Sequence, residues 1–316
     1  MKVAEAKGVA DAVRRAVATA VVGRAAVLDQ VLTGLVADGH LLIEDLPGLG
    51  KTLVARSFAS ALGLGFQRIQ FTADLLPHDI TGGDVLDPRQ GALVFRPGPI
   101  FTNVLLADEI NRAPPKVQSA LLEAMQEYQV TSERTTYPIP KPFLVLATEN
   151  PLELEGTYPL PEAQVDRFLM RLAVGYPTTD EELGILERRR ARKEDAVSVA
   201  AATTLEQFRD LQRTAEDVEL EGSLAGYIVE LVRATRADVR AEIGASPRGS
   251  LALQKLSRAR ALLDGRDFVL PDDVKALAVP ALAHRVLVKP EPWVRGVRGP
   301  DIVRTALERT AVPKVR

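Results

Sequence analysis

The stretch Ile43-Glu44-Asp45-Leu46-Pro47-Gly48-Leu49-Gly50-Lys51-Thr52 decides the reading of this chain. A short apolar strand, Leu41 to Ile43, runs into a Gly/Pro loop, and the loop runs into an amphipathic helix carrying Leu53, Val54, Phe58 and Leu62 and closed by Gly63. Strand, loop and helix in that order build a concave anion site, because successive backbone N–H groups and the helix N-terminus converge there. In such a site Lys51 neutralises the β- and γ-phosphates of a nucleoside triphosphate, and the Thr52 hydroxyl holds Mg²⁺. Asp45 stands where the pattern G-x-x-x-x-G-K-[ST] has its first Gly. Asp is among the few residues that tolerate a left-handed backbone, so the exchange reads as a tolerated variant. The alternative is a Gly-Lys-Thr that happens to open a helix.

Composition narrows the field. With 316 residues the chain can form two ordinary domains, each with its own core. At 46% hydrophobic and 26% charged residues it is neither disordered nor fibrous in character. A net charge of −2 supplies no bulk attraction to nucleic acid or to an anionic membrane, so neither is expected as a specific partner. The absence of cysteine excludes disulfides, thiolate-bound zinc and a cysteine nucleophile, and fits a reducing compartment. His40, His78 and His284 are too dispersed for a metal cluster and read as structural. No run approaches the roughly 20 apolar residues of a membrane helix. Arg14 and Arg15 interrupt the Ala/Val-rich segment from Val9 to Val22, which reads as a surface amphipathic helix rather than a leader. The cytoplasm is the default location.

Around the phosphate loop the chain alternates strand and helix. Val21-Val22-Gly23-Arg24 links the first helix to a second pattern at Val27, Val31, Leu32 and Leu35. A strand from Phe66 to Phe71 completes a βαβ unit. Asp84-Val85-Leu86 and Ala92 to Phe95, around Asp87-Pro88-Arg89-Gln90-Gly91, predict an inserted hairpin. Asn103 to Glu109 is a buried parallel strand whose C-terminal end delivers Asp108 and Glu109, at the edge where such sheets place ligand chemistry. Asp108 can join the Mg²⁺ shell and Glu109 can polarise a water for in-line attack; a helix cap or a solvated acidic pair is the alternative. Pro114-Pro115 opens a helix. Gln129-Val130-Thr131 and Tyr137-Pro138-Ile139, flanking a polar tip from Ser132 to Thr136, predict a second hairpin. The strand Phe143 to Ala147 ends in Thr148-Glu149-Asn150-Pro151, where Asn150 can orient the attacking water or simply form a turn. Glu155 to Leu160 reads as a polar loop, Pro161 to Phe168 as a short helix, and Leu169 to Val174 as the last strand. Five strands alternating with helices imply a mostly parallel sheet covered on both faces.

Tyr176-Pro177 marks a boundary, and from Asp180 helical periodicity dominates in four or five segments. Thr203 and Thr204 cap one helix at capping-box spacing. Leu224, Ile228, Leu231 and Val232 line another. Ser246-Pro247-Arg248 begins a third, with Leu251, Leu256, Leu262 and Leu263 inward. Arg248 opposes the dipole of that helix unless a phosphate is near. Trp293, beside two prolines, reads as a packing anchor, with an exposed partner contact as the alternative. Arg188 to Lys193, flanked by acids, reads as a solvated helix face, with a partner contact as the alternative.

The ordered set Gly-Leu-Gly-Lys-Thr, Leu-Leu-Ala-Asp-Glu-Ile-Asn-Arg-Ala, Ala-Thr-Glu-Asn-Pro and Gly-Ala-Ser-Pro-Arg resembles the AAA+ ATPases, and specifically the MoxR family, over nearly the whole chain. The resemblance implies an α/β P-loop core with a five-stranded parallel sheet and inserted hairpins, residues 1–176, followed by a smaller all-α lid, residues 177–316. It implies ATP or ADP held by Pro47, Gly48, Leu49, Gly50, Lys51, Thr52 and Leu53 (Walker A), with Val22 and Gly23 at the adenine. Mg²⁺ falls to Thr52 and Asp108, and Walker B to Asp108 and Glu109. Asn150 matches the first sensor. Arg248 matches the second, reaching the γ-phosphate from the lid, and Arg167, ahead of Arg171, matches an arginine finger given to a neighbouring subunit. Asp45 and Glu149 depart from the family's usual Gly and Gln. A homo-oligomeric ring, usually a hexamer, and chaperone-like remodelling of client proteins with von Willebrand factor A domains are the implied assembly and function. A nucleic-acid motor or loader, or a slow nucleotide-gated scaffold, is the alternative.

Overall fold

The computed structural model describes residues 1–88, 91–132, 135–151 and 156–314. The expected hairpin tips at Arg89-Gln90 and Glu133-Arg134, and Glu155 at the head of the expected polar loop, lie outside the described residues. Helices α1 (Val3–Ala20) and α2 (Ala25–Val36) lead into strand β1 (Leu41–Glu44), helix α3 (Lys51–Ala61) and strand β2 (Phe66–Gln70). Helix α4 (Pro77–Thr81) precedes a hairpin of β3 (Gly82–Asp87) and β4 (Ala92–Pro97). Strand β5 (Val104–Asp108), helix α5 (Pro115–Glu127), a second hairpin of β6 (Gln129–Ser132) and β7 (Thr135–Pro138), strand β8 (Leu144–Glu149), helix α6 (Glu162–Val165) and strand β9 (Met170–Leu172) complete the α/β part.

Five of these strands form one sheet in the order β2-β5-β8-β1-β9, with every neighbouring pair parallel. The central strands are uninterrupted apolar runs: β5 is buried throughout and β8 from Leu144 to Thr148, as both-face coverage requires. The two hairpins form where the pattern predicts them, with Val85 opposite Val94 and Val130 opposite Tyr137. They also touch. Phe95 stacks on Tyr137 with centroids 3.8 Å apart, and the Ser132 hydroxyl donates to Asp84 at 2.8 Å.

Beyond the sheet run helices α7 (Thr179–Arg192), α8 (Leu205–Glu216) and α9 (Gly222–Ala237), strand β10 (Ala241–Ile243), helices α10 (Pro247–Leu263) and α11 (Pro271–Leu282), strand β11 (Leu287–Val288), and helices α12 (Pro290–Val294) and α13 (Gly299–Arg309). The described residues thus carry seven helices here, where the periodicity alone predicts four or five segments. The expected all-α lid also contains a small antiparallel ladder, Ala241 opposite Val288. Capping boxes at Thr178 with Glu181 and at Thr204 with Gln207 fix the starts of α7 and α8.

Helix α1 is the amphipathic surface helix that the pattern predicts: Ala6, Ala10, Val13 and Val17 form its buried stripe, in one apolar cluster with α3 residues Val54 and Phe58 and α10 residues Leu253 and Leu256, while Glu5, Lys7 and Arg15 face solvent. Two expectations change. Leu251 points outward at 59% exposure, because the inward stripe of α10 runs through Ala252, Leu253 and Leu256 instead. Trp293 is 54% exposed and lies under the Arg298 guanidinium at 4.7 Å, so it is a surface contact rather than an anchor.

Gly82 joins α4 to β3 at φ 81° and ψ −179°, a conformation reserved for glycine. A Cβ there would run into the backbone of Arg96 and Gly98 at the hairpin base. Gly82→Ala is therefore expected to destabilise the fold by more than about 1 kcal/mol in urea unfolding.

Candidate nucleotide site

Because the strands are parallel, the C-terminal ends of β1, β5 and β8 meet at one sheet edge, with Ile43 beside Thr148 and Ala107 beside Ala147. The loop after β1 turns through Gly48 and Gly50 at φ 81° and 84°, and Gly50 caps α3. These left-handed turns give the loop the curvature that aims backbone N–H groups inward. Lys51 is buried, and its ammonium donates to the carbonyls of Asp45 at 2.6 Å and Leu46 at 3.2 Å. Burial lowers its pKa, while Asp45, Asp108 and Glu109 nearby pull it back up.

Asp45 owes its place to hydrogen bonds, not to a left-handed backbone: its φ is not positive. Its carboxylate accepts from Leu46 N at 2.9 Å and from Gly175 N at 2.6 Å, tying the loop to the chain leaving β9. That corrects the reading of Asp45 as a conformational substitute for Gly.

Asp108 and Glu109 stand beside Lys51. The Arg68 guanidinium grips one Asp108 oxygen at 2.7 and 3.0 Å, and the Thr148 hydroxyl donates to the other at 2.6 Å. Glu109 accepts from Gln70 at 2.7 Å and pairs with Arg112 at 3.1 Å. Asn150 follows β8, buried, at the same edge. Thr52 lies in the first turn of α3.

A cleft of about 560 Å³, within the roughly 300–1,000 Å³ range of small-ligand pockets, opens on the other side of the loop. Pro47, Gly48, Leu49, Gly50 and Leu53 form one wall, Val21, Val22 and Arg24 a second, and α7 the third. Gly23 has φ 68°, and a Cβ there would overlap the Glu181 side chain, so the linker and α7 fit closely. Arg188, Arg189 and Arg192 line this cleft, and Arg188 also donates to the last carbonyls of α1 at Ala18 and Thr19. The expected solvated face is thus, on one side, a wall of the candidate site. Arg24 is a further arginine that the sequence reading passed over. It caps α2 in a left-handed conformation, donates to Leu49 O at 2.6 Å, and leaves its buried Nε without a partner.

Arg167 and Arg248 lie elsewhere. They share a groove at the opposite edge of the sheet with Asp38, Gly39 and His40, which precede β1. Arg248 comes within 3.9 Å of Asp166, and Ser246 at the start of α10 donates to the same carboxylate. The expected reach of Arg248 to the phosphate loop of its own chain is not made, because α10 begins against the N-terminal rather than the C-terminal ends of the strands. Burial lowers the Arg167 pKa, and the charge of Arg248 lowers it further. Arg171 is paired with Glu44 at 3.1 Å.

Three comparisons bear on this geometry. Residues 40–170 match the model of the ATPase family associated with various cellular activities (AAA), and residues 233–306 match the AAA lid domain. The chain is 42% identical to Chaperone MoxR1 of Mycobacterium tuberculosis over 93% of this chain and 80% of that one, and 47% identical to YeaC of Bacillus subtilis over 90% and 89%. Protein MoxR of Methylorubrum extorquens is 30% identical over 95% and 94%. A crystal structure of a candidate ATPase from Cytophaga hutchinsonii superposes with a TM-score of 0.92 at 40% identity, covering 99% of this chain and 97% of that one. Core and lid together define an AAA+ ATPase. Within that class, the chain belongs to the MoxR family.

Glu149 is the second residue that differs from the expected pattern. Burial raises its carboxyl from 4.5 to about 7, the adjacent Glu44 adds to the rise, and Arg171 opposes it. The folded chain therefore keeps a proton that the unfolded chain releases above its ordinary value. This contribution is fully present below about pH 4.5 and is lost as pH rises through about 7. Glu149→Gln is expected to raise the melting temperature at pH 8 and leave it nearly unchanged at pH 4.5, read by thermal unfolding at both values.

Proposed function

We propose that this chain is an ATP-driven, chaperone-like remodelling enzyme that works as a ring of six subunits. The observation that carries the reading is the division of charge between the two sheet edges. Loop, Lys51, Asp108, Glu109 and Asn150 share one edge; Arg167 and Arg248 share the other. Two like charges facing each other beside Lys255 suit an anion brought in from outside, and the γ-phosphate on a neighbouring subunit has the right chemistry.

In this reading the loop amides and Lys51 cradle the β- and γ-phosphates. Val22, Gly23 and the arginine-rich face of α7 enclose the base and ribose. Glu109 takes the proton of the attacking water, Asn150 orients that water, and Arg167 and Arg248 act in trans on the transferring group. Among the described residues no group of three His, Cys, Asp or Glu could hold a metal alone, so one carboxylate, Asp108, and the Thr52 hydroxyl would be joined by phosphate oxygens and water. That donor set fits Mg²⁺, which would neutralise charge developing on the phosphates. Residues 1–176 and the lid of residues 177–316 are the two parts whose relative motion would do the work, with the paired hairpins as the moving surface. The name of the Mycobacterium tuberculosis relative supports the chaperone reading. Clients carrying a von Willebrand factor A domain are the partners we propose.

Glu109→Gln is expected to retain ATP binding and lose turnover; wild-type turnover would exclude its role. Trans supply has its own test. Arg167→Ala or Arg248→Ala, each inactive alone by about 10³-fold or more, should regain ATPase activity when mixed with Glu109→Gln subunits. A mixture containing Arg248→Ala that stays inactive would return Arg248 to its own chain's site.

A further inference from the structure

Thr148 is fully buried at the end of β8, between Ile43 of β1 and the last residue of β5. Its hydroxyl does two things at once. It donates to Asp108 Oδ1 at 2.6 Å and accepts the backbone N–H of Glu109 at 2.8 Å. We propose that Thr148 is the positioning residue that sets the two acidic groups relative to each other, an inference that rests on the ATPase reading of this site.

The backbone makes the need for such a group plain. Glu109 sits at φ 57° and ψ 51°, a left-handed conformation that a long side chain seldom adopts. The turn brings Asp108 and Glu109, which would point to opposite faces if the strand continued, onto one linked pair of side chains, Arg68 on Asp108 and Gln70 on Glu109. A left-handed residue persists when its surroundings hold it, and the bond to Thr148 fixes the amide that the turn presents. The same oxygen, through its proton, fixes the carboxylate one residue earlier. At 2.6 Å that bond lies in the range of a hydroxyl donating to an ionised carboxylate. With Arg68 on Oδ2 and Thr148 on Oδ1, Asp108 has its plane defined from both sides. Burial matters here too, since a buried carboxylate oxygen that loses its donor is left unsatisfied at a cost.

Thr148 is therefore to Asp108 what an outer-shell partner is to a metal-binding carboxylate, a kind of contact whose loss typically costs about 10- to 100-fold in metal affinity or activity. Asn150, two residues on, has a separate role, because the loss of Thr148 should disturb the metal as well as the water.

The test uses the full chain as wild type, Thr148→Val and Thr148→Ser. Val keeps the volume without the hydroxyl, and Ser restores the hydroxyl without the methyl. Mn²⁺ binding is titrated by electron paramagnetic resonance in the presence of a non-hydrolysable ATP analogue, beside metal-free nucleotide affinity and kcat. Thr148→Val should weaken Mn²⁺ by about 10- to 100-fold and lower kcat similarly, with metal-free nucleotide affinity unchanged; Thr148→Ser should stay within a few-fold of wild type. Wild-type Mn²⁺ affinity in Thr148→Val overturns the proposal. So does an equal loss in Thr148→Ser, which would assign the effect to methyl packing. If Thr148→Val does not fold, Thr148→Ala removes the same hydroxyl without adding bulk and is judged by the same outcomes. A wild-type chain that binds nucleotide and Mn²⁺ without turnover defeats the ATPase reading, while the titration still decides on Thr148.

Discussion

All five strands of the sheet run the same way, and this constraint distributes the chemistry of the molecule. Loops that follow strands gather at one edge and residues that precede strands gather at the other. Strand β1 is four residues long, so roughly 13 Å of extended chain separates His40 from the start of the phosphate loop. The carboxylates and the loop fall on one side of that distance, Arg167 and Arg248 on the other. A chain so divided completes its proposed site only by laying one edge against the opposite edge of a second copy. Head-to-tail contacts of that kind close into rings when the rotation permits.

The second edge is also where the lid is fastened. Arg285, almost fully buried, pairs with Asp166 at 2.8 Å and donates to Phe168 O at 2.7 Å, while His284 meets the same carbonyl. Asp166 immediately precedes Arg167 and also receives Ser246, the cap of α10. One carboxylate thus joins the lid, the strand entry and both arginines. A movement of the turn that carries Arg285 cannot leave Asp166 and Arg167 behind without breaking a buried ion pair, a costly event because it strands a charge away from water, and a movement of α10 would break the Ser246 bond to the same carboxylate. At the other end α7 closes over the candidate cleft through Gly23 and Glu181. The helices that follow the sheet therefore touch both the candidate site of their own chain, through α7, and the arginine edge, through α10, which suits a ring in which one site reports to the next.

Much of this was legible in the sequence, and the parts that were not share a cause. The phosphate loop, the strand bearing Asp108 and Glu109, both hairpins and the helical character of the second half follow from local pattern, where neighbours in sequence determine the outcome. Arg68 on Asp108, Arg24 over Leu49 and the arginines of α7 in the cleft are long-range contacts, and no spacing rule announces them. The motif around Arg248 placed it on the right helix, but which strand edge that helix faces is set by tertiary packing through Arg285 and His284. Leu251 failed for a subtler reason. The small residues Ala252 and Ala259 let α10 bury a face that a count of large apolar side chains does not find.

The two departures from the expected pattern now have different weights. Asp45 replaces the conformational freedom of a glycine with two hydrogen bonds, one of them to the chain leaving β9, so the loop is braced rather than loosened. Glu149 is the more consequential change. It neighbours Glu44 across the ladder, shares the field of Arg171, and holds its proton up to about pH 7. A neutral carboxyl donates and accepts much as an amide does, so near neutral pH Glu149 can still serve as a Gln would. Above that range it adds a negative charge one residue from Thr148, on the edge proposed to receive a polyphosphate. Nucleotide affinity should therefore weaken with rising pH in this chain where a Gln at the same position would leave it flat.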